Sequence, residues 1–189
     1  MAKIRVFVSI PMPNTAGLRP MMEDLWKVRG VRTSPMGQMH ITLRFIGDIE
    51  EDRVDDIETA VNEAIAGVKA SRITLKGLGA FPNQRNPRVL WAGISTEMPL
   101  LEISERLSAR FKTMNIPFDE KPFRPHITVG RIEGRANLVH EFSRYQTTEF
   151  ATYIPNSVMV MKSELTPKGA VHSILRVCYF DSRAVSAKA

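Results

Sequence analysis

The sequence predicts an α+β fold with two pseudo-symmetric lobes, largely antiparallel sheets flanked by helices, and a central cleft. Three observations predict it. Helix and strand signals alternate early in the chain, and strand signals cluster late. The triplet His40-Ile41-Thr42 returns as His126-Ile127-Thr128, 86 positions on, and each triplet opens a strand followed by a helix, the pattern of a diverged duplication. No low-complexity linker interrupts the chain, so residues 1–189 read as a single bilobal domain.

Residues 3–10 alternate and are β-branched, which predicts a strand broken by Pro11, Pro13 and Asn14. Leu18, Met21, Met22, Leu25 and Val28 recur at helical spacing, and Gly30 stops that run. A loop over 30–38 leads to the first triplet strand at 39–46. Asp48 and Glu51 have the spacing of an N-cap and its reciprocal acid, ahead of a helix carrying Val54, Ile57, Val61, Ala64 and Ile65 and ending near Gly67. Strands follow at 72–80 and 88–95, joined by a polar, basic turn at 82–87 that is either a solvated hairpin loop or a substrate contact. Thr96 is placed to cap the next helix, whose Leu100, Ile103, Leu107, Phe111 and Met114 form a core stripe. An irregular segment, 115–124, leads into the second triplet strand at 125–132. A short amphipathic helix with Leu138, Phe142 and Tyr145 comes next, then strands at 149–154, 157–165 and 171–180, the last two joined by a turn at 166–169. The tail from Ser182 is expected to fray.

Hydrophobic residues make up 43% of the chain and charged ones 24%, as in ordinary soluble globular proteins. No apolar run approaches the roughly 20 residues of a membrane span, and the first apolar run is too short for a signal peptide and reads as a strand. The single cysteine, Cys178, rules out an internal disulfide and suits a reducing cytoplasm. On a strand it reads as a small packing residue. The net charge of +6 favours phosphate-bearing partners, without selecting one.

Side chains two apart on a strand share a face, so each triplet presents one imidazole and one hydroxyl to the same neighbour. A lone strand histidine is most often a packing residue. Two matched units are not explained that way. Imidazoles titrate near pH 6.5, so a pair flanking a phosphodiester can divide the work: one takes a proton from water, the other gives one to the leaving oxygen. Thr42 and Thr128 can donate hydrogen bonds to the non-bridging oxygens. No metal or other cofactor is expected, because there is no His-Glu-x-x-His helix or cysteine cluster and threonine is a poor zinc ligand. A cation would assist. Strand parity places Arg44 on the face of His40 and puts Arg131 on the face opposite His126, unless a bulge at Gly130 reverses it. His140 and His172 lack the triplet context, and His140 sits on the polar side of its helix.

These residues resemble the 2H phosphoesterases, and among them the LigT-like RNA 2′,3′-cyclic phosphodiesterases, also called 2′-5′ RNA ligases, which carry two His-x-Thr motifs. The likeness extends to Arg5–Ile10 as the first strand, His40–Gly47 as the first motif, Phe81-Pro82 through Trp91 as the central hairpin, Phe123–Arg131 as the second motif and Ser163–Gly169 as the closing hairpin. It implies a bilobal fold and metal-independent hydrolysis of a terminal 2′,3′-cyclic phosphate on RNA to a 2′-phosphate. It also implies His40 and His126 as the catalytic pair, Thr42 and Thr128 as phosphate ligands, Arg131 as a phosphate contact and Phe7 beneath the site. Arg131 is therefore preferred to Arg44, which stays as the second choice. Where many relatives have a tyrosine three residues after the closing glycine, this chain has His172.

The expected protein is thus a monomeric, cytoplasmic, membrane-free RNA 2′,3′-cyclic phosphodiesterase, with reversible 2′-5′ ligation as a further activity. Its partners would be RNA ends bearing a 2′,3′-cyclic phosphate or a 2′-5′ linkage. His40 would be the proton donor and His126 the acceptor, although pseudo-symmetry leaves the two roles interchangeable. The alternatives are hydrolysis of a small cyclic nucleotide, such as an ADP-ribose-type cyclic phosphate, and a non-catalytic nucleotide- or RNA-binding module.

Overall fold

Residues 2–181 are described by a computed structural model; the tail expected to fray from Ser182 lies outside them. Strands β1 (Lys3–Pro11), β2 (Val31–Thr33), β3 (His40–Glu50), β4 (Ile73–Phe81), β5 (Val89–Thr96), β6 (His126–Ile132), β7 (Glu149–Tyr153), β8 (Ser157–Thr166) and β9 (Gly169–Tyr179) alternate with helices α1 (Arg19–Lys27), α2 (Val54–Ile65), α3 (Leu100–Thr113) and α4 (Val139–Tyr145).

Every strand pairing is antiparallel, in the order β7-β4-β5-β6-β3-β1-β8-β9, with β2 lying against β6. The two lobes therefore share one sheet. One contributes β3-β1-β8-β9, the other β7-β4-β5-β6, and they join where β3 meets β6. That seam is narrow, with Ile41 opposite Ile127 as its sole registered pair. Beyond it the strands part, and β2 takes over the free edge of β6 from Gly130 to Ile132.

The helices cover the sheet face away from the cleft. In α2, Val54, Ile57, Val61 and Ile65 are buried, and in α3 so are Leu100, Ile103, Leu107 and Phe111. These stripes pack α2 on α3, α2 on β8 and β9, and α3 on β3. Cys178 is buried within this core, and burial pushes its thiol up to about 11, so it behaves as a packing residue. Among the described residues no helix is long and apolar enough to cross a membrane.

Three local expectations change. Asp48 does not cap α2: β3 runs on to Glu50 because β1 continues to pair with it, and Asp48 instead meets Arg5 at 3.3 Å. The helix begins at Val54, after a 3-10 turn over 51–53. Thr96 is the last residue of β5, and its hydroxyl accepts from the Met98 amide and donates to the Arg72 carbonyl, organising the turn before Pro99 and α3. The expected loop over 30–38 contains β2, three residues too short to signal themselves and extended only because β6 offers an edge.

Candidate active site at the seam of the two lobes

The seam sets the geometry. Ile41 and Ile127 are each 0% exposed, so their side chains go into the core. Their chain neighbours His40, Thr42, His126 and Thr128 consequently point to the other face, into the cleft. Antiparallel register about the Ile41–Ile127 pair sets His40 beside Thr128, and Thr42 beside His126. Each imidazole is oriented in the same way. Nδ1 of His40 lies 2.8 Å from the Gln38 carbonyl, and Nδ1 of His126 lies 2.6 Å from the Arg124 carbonyl. A carbonyl only accepts, so each Nδ1 donates and carries a proton. In the neutral ring Nε2 is then the free base, and it is the nitrogen left for the cleft.

Paired bulges follow the triplets. Opposite β1, Thr42 pairs with Ser9 and Arg44 with Val8, leaving Leu43 as the extra residue. Opposite β5, Thr128 pairs with Trp91 and Gly130 with Leu90, leaving Val129 extra. Leu43 and Val129 are buried apolar side chains, which anchors each bulge in the core. Parity is reset in both strands, and the cleft receives the third residue after each threonine, Phe45 and Arg131. Arg44 is turned out of the cleft. Its Nε donates to Ser108 Oγ at 2.7 Å and its Nη1 to the Lys121 carbonyl at 2.8 Å, and it lies 5.9 Å over the Phe118 ring. The parity expectation for Arg44 fails because a regular strand was assumed.

The glycines trailing the two motifs serve different ends. Gly47 has φ +91°, in the left-handed region that side chains avoid. At Gly130 the reason is space, since a Cβ would stand 3.0 Å from the Arg32 carbonyl of β2.

The cleft has a volume of about 600 Å³. Phe7 forms its floor, 4.8 Å from the His40 ring, and Phe81 meets His126 edge-on at 5.0 Å. Arg5, Arg32 and Lys168 join Arg131 along its walls. No motif marks these three in the sequence; Arg5 alone carries a signal, sharing strand parity with Phe7. Gln38, likewise outside any motif, has two contacts here. The Gln38 carbonyl orients His40, while its side-chain oxygen accepts the His172 amide at 3.0 Å and so fastens the β8–β9 hairpin to the site. His172 is thereby brought into the cleft wall, its ring 5.4 Å from that of His40 and 4.9 Å from Phe7. Past Thr42 and His126 a second groove, of about 640 Å³, runs between Arg44, Phe81, Phe123 and Arg124.

Burial is the main cause of the titration behaviour. It pulls His40 below the usual histidine value, the His172 and His126 imidazoles pull further, and the Gln38 carbonyl opposes them. Burial also lowers His126, against the Arg124 carbonyl, and lowers His172. Neutral imidazoles are therefore favoured until an anion arrives. Thr42 and Thr128 make no hydrogen bond through their hydroxyls to other described residues, and Arg131 has no carboxylate partner among them.

Outside the cleft, His140 is exposed on α4, and Asn83–Asn86 form an exposed turn in which the Asn83 side chain accepts from the Arg85 and Asn86 amides. Among the described residues no three of the His, Cys, Asp or Glu side chains are grouped to hold a metal ion.

Comparison with known proteins shows the family and the fold. The profile of the LigT like phosphoesterases matches residues 8–91. Two archaeal proteins named RNA 2′,3′-cyclic phosphodiesterase are similar along almost their whole length. The one from Archaeoglobus fulgidus is 30% identical over 177 residues, covering 92% of this chain and 99% of that protein. The one from Methanothermobacter thermautotrophicus is 30% identical over 183 residues, covering 93% and 98%. A crystal structure from Thermus thermophilus superposes with a TM-score of 0.78 at 29% identity, covering 94% of this chain and 98% of that one. Escherichia coli LigT shares the fold, with a TM-score of 0.69 at 17% identity over 95% of this chain and 99% of its own. The chain belongs to the LigT-like phosphoesterase family.

Proposed function

We propose that this protein is an RNA 2′,3′-cyclic phosphodiesterase that opens a terminal 2′,3′-cyclic phosphate to a 2′-phosphate, using its two histidines and no metal. The observation that carries the reading is the placement of two Nδ1-anchored imidazoles and two uncommitted hydroxyls on one face of the seam, within a cleft lined by arginine and lysine. The names of the relatives at about 30% identity agree with it.

The phosphate sits between His40 and His126, its non-bridging oxygens held by Thr42, Thr128 and Arg131. Nε2 of His126 accepts a proton from water as the water oxygen bonds to phosphorus. The bond from phosphorus to the 3′-oxygen breaks, and Nε2–H of His40 delivers a proton to that oxygen. The product has a free 3′-hydroxyl and a 2′-phosphate, and solvent returns the proton from His126 to His40. An arriving anion favours the imidazolium form of His40, offsetting the burial that holds it neutral in the free protein. With the hydroxyl of a second strand in place of water, the same proton transfers open the cyclic phosphate onto that hydroxyl. Its oxygen bonds to phosphorus and gives its proton to His126, the bond to the 3′-oxygen breaks and His40 protonates it, leaving a 2′-5′ linkage, which is ligation.

Phe45, Phe81 and Arg124 offer the terminal base a stacking surface in the groove past Thr42 and His126. Both triplets belong to one chain, which supports a monomeric enzyme, and the lone buried thiol fits a reducing compartment such as the cytoplasm.

The test is product analysis with an oligoribonucleotide ending in a 2′,3′-cyclic phosphate, in excess EDTA. A 2′-phosphate product is expected, with His40→Ala and His126→Ala each about 10²–10⁴-fold slower. Nucleotide binding without turnover by folded wild-type protein would return the binding-module reading.

A further inference from the structure

We propose that a second, stacking subsite on α1, centred on Trp26, receives a nucleotide upstream of the reacting RNA end. The proposal rests on the RNA reading above and extends it from the terminal phosphate to the strand that carries it.

Trp26 is 74% exposed, while Met21, Met22 and Leu25 of the same helix are buried. A single exposed aromatic residue is unremarkable by itself. Its position is the informative part. Trp26 lines a groove of about 400 Å³ together with Arg19, Met22, Lys27, Thr33 and Ser34. Thr33 and Ser34 also line the catalytic cleft, so the two depressions adjoin across a ridge of two small polar residues. The charges suit a polyanion: Arg19 and Lys27 border the groove, with Glu23 as the one carboxylate among its lining residues, and Arg32 and Arg131 border the cleft on the near side. Lys27 is held by Asp24, and Asp24 is held in turn by Arg144 and by the Tyr145 hydroxyl at 2.7 Å, which fixes the last turn of α1 where Trp26 projects.

A flat aromatic face beside a basic track is how sequence-tolerant single-stranded sites are built, because every base has a π-face to stack. The catalytic cleft holds the phosphate and the groove past His126 takes the terminal base, so the remaining strand needs another exit. The polar ridge at Thr33 and Ser34 supplies hydroxyls for a passing phosphate, and Trp26 stands beyond it. The occupant is single-stranded RNA, one or a few nucleotides 5′ of the cyclic phosphate.

The experiment compares a 2′,3′-cyclic mononucleotide with an oligoribonucleotide bearing the same terminus, for wild type, Trp26→Ala and Trp26→Phe. Trp26→Ala is expected to lower kcat/KM for the oligonucleotide by about 5–100-fold and to leave the mononucleotide unchanged, with Trp26→Phe retaining most of the activity. Equal effects on both substrates, or none on either, would overturn the subsite. A second readout needs no catalysis: a non-reactive oligoribonucleotide should quench tryptophan fluorescence in wild type and lose that part of the quench in Trp26→Phe. No RNA-dependent quench, with concentration-dependent self-association instead, would assign the face to a second copy of the chain. If wild type hydrolyses neither substrate yet the quench is present, the hydrolase reading fails and the strand site survives.

Discussion

Ile41 stands opposite Ile127 at the only registered pairing between β3 and β6, and both side chains are fully buried. This apolar pair joins the two halves of the site, because it is the register point from which His40, Thr42, His126 and Thr128 all turn to the cleft face. Ile127→Ala is expected to cost about 2–5 kcal/mol, a fall of about 4–20 °C in Tm, and Ile127→Val about 0.5–1.5 kcal/mol. Thermal unfolding measures both. A kcat lower in Ile127→Val than its small stability loss accounts for would show that the seam also sets the distance between the imidazoles.

Arg44 and Arg131 should separate cleanly when each is replaced by alanine. Arg131 faces the cleft without a carboxylate partner among the described residues, so Arg131→Ala should lower kcat/KM by about 10–150-fold with little change in Tm. Arg44 ties β3 to α3 and to the segment before β6, so Arg44→Ala should lower Tm by several degrees and affect turnover less. The reverse pattern would return the phosphate contact to Arg44.

The pH–rate profile follows from the shifts in the free protein. His126 must be neutral to accept a proton, so activity is lost as pH falls through its lowered pKa. His40 must be protonated to donate, so activity is lost as pH rises through its own lowered pKa. The kcat/KM profile should therefore be bell-shaped, with both limbs on the acid side of the usual histidine value of about 6.5. The alkaline limb of kcat should lie higher, because bound phosphate stabilises the imidazolium. A kcat/KM maximum above pH 8 would contradict the assignment.

His172→Asn tests the third imidazole. The charge of His172 lowers the pKa of His40, so removing the ring should move the alkaline limb of kcat/KM upward and leave the acid limb, which belongs to His126, in place. An unmoved alkaline limb would make His172 a wall residue without electrostatic influence on His40.

Much of this was legible before any tertiary contact. The His-x-Thr spacing fixes which side chains share a face, and the periodicities place the helices and most of the strands, because these are local properties of a backbone with period 2 or 3.6. What the sequence alone could not decide depends on partners distant in the chain. Neither motif names the strand it pairs with, and only the pairing of Ile41 with Ile127 puts the two triplets side by side in one sheet. The sequence implied a regular strand after Thr42, and the choice between Arg44 and Phe45 was made by β1, against which Leu43 bulges into the core. It gave no notice of β2, which is extended because β6 has a free edge, or of Gln38, whose contact with His172 spans 134 positions. The sequence determined the chemistry available to this protein and the local faces that carry it. Tertiary structure decided which of those groups meet, because register, bulges and edges are set by burial and hydrogen bonding between segments that are far apart along the chain.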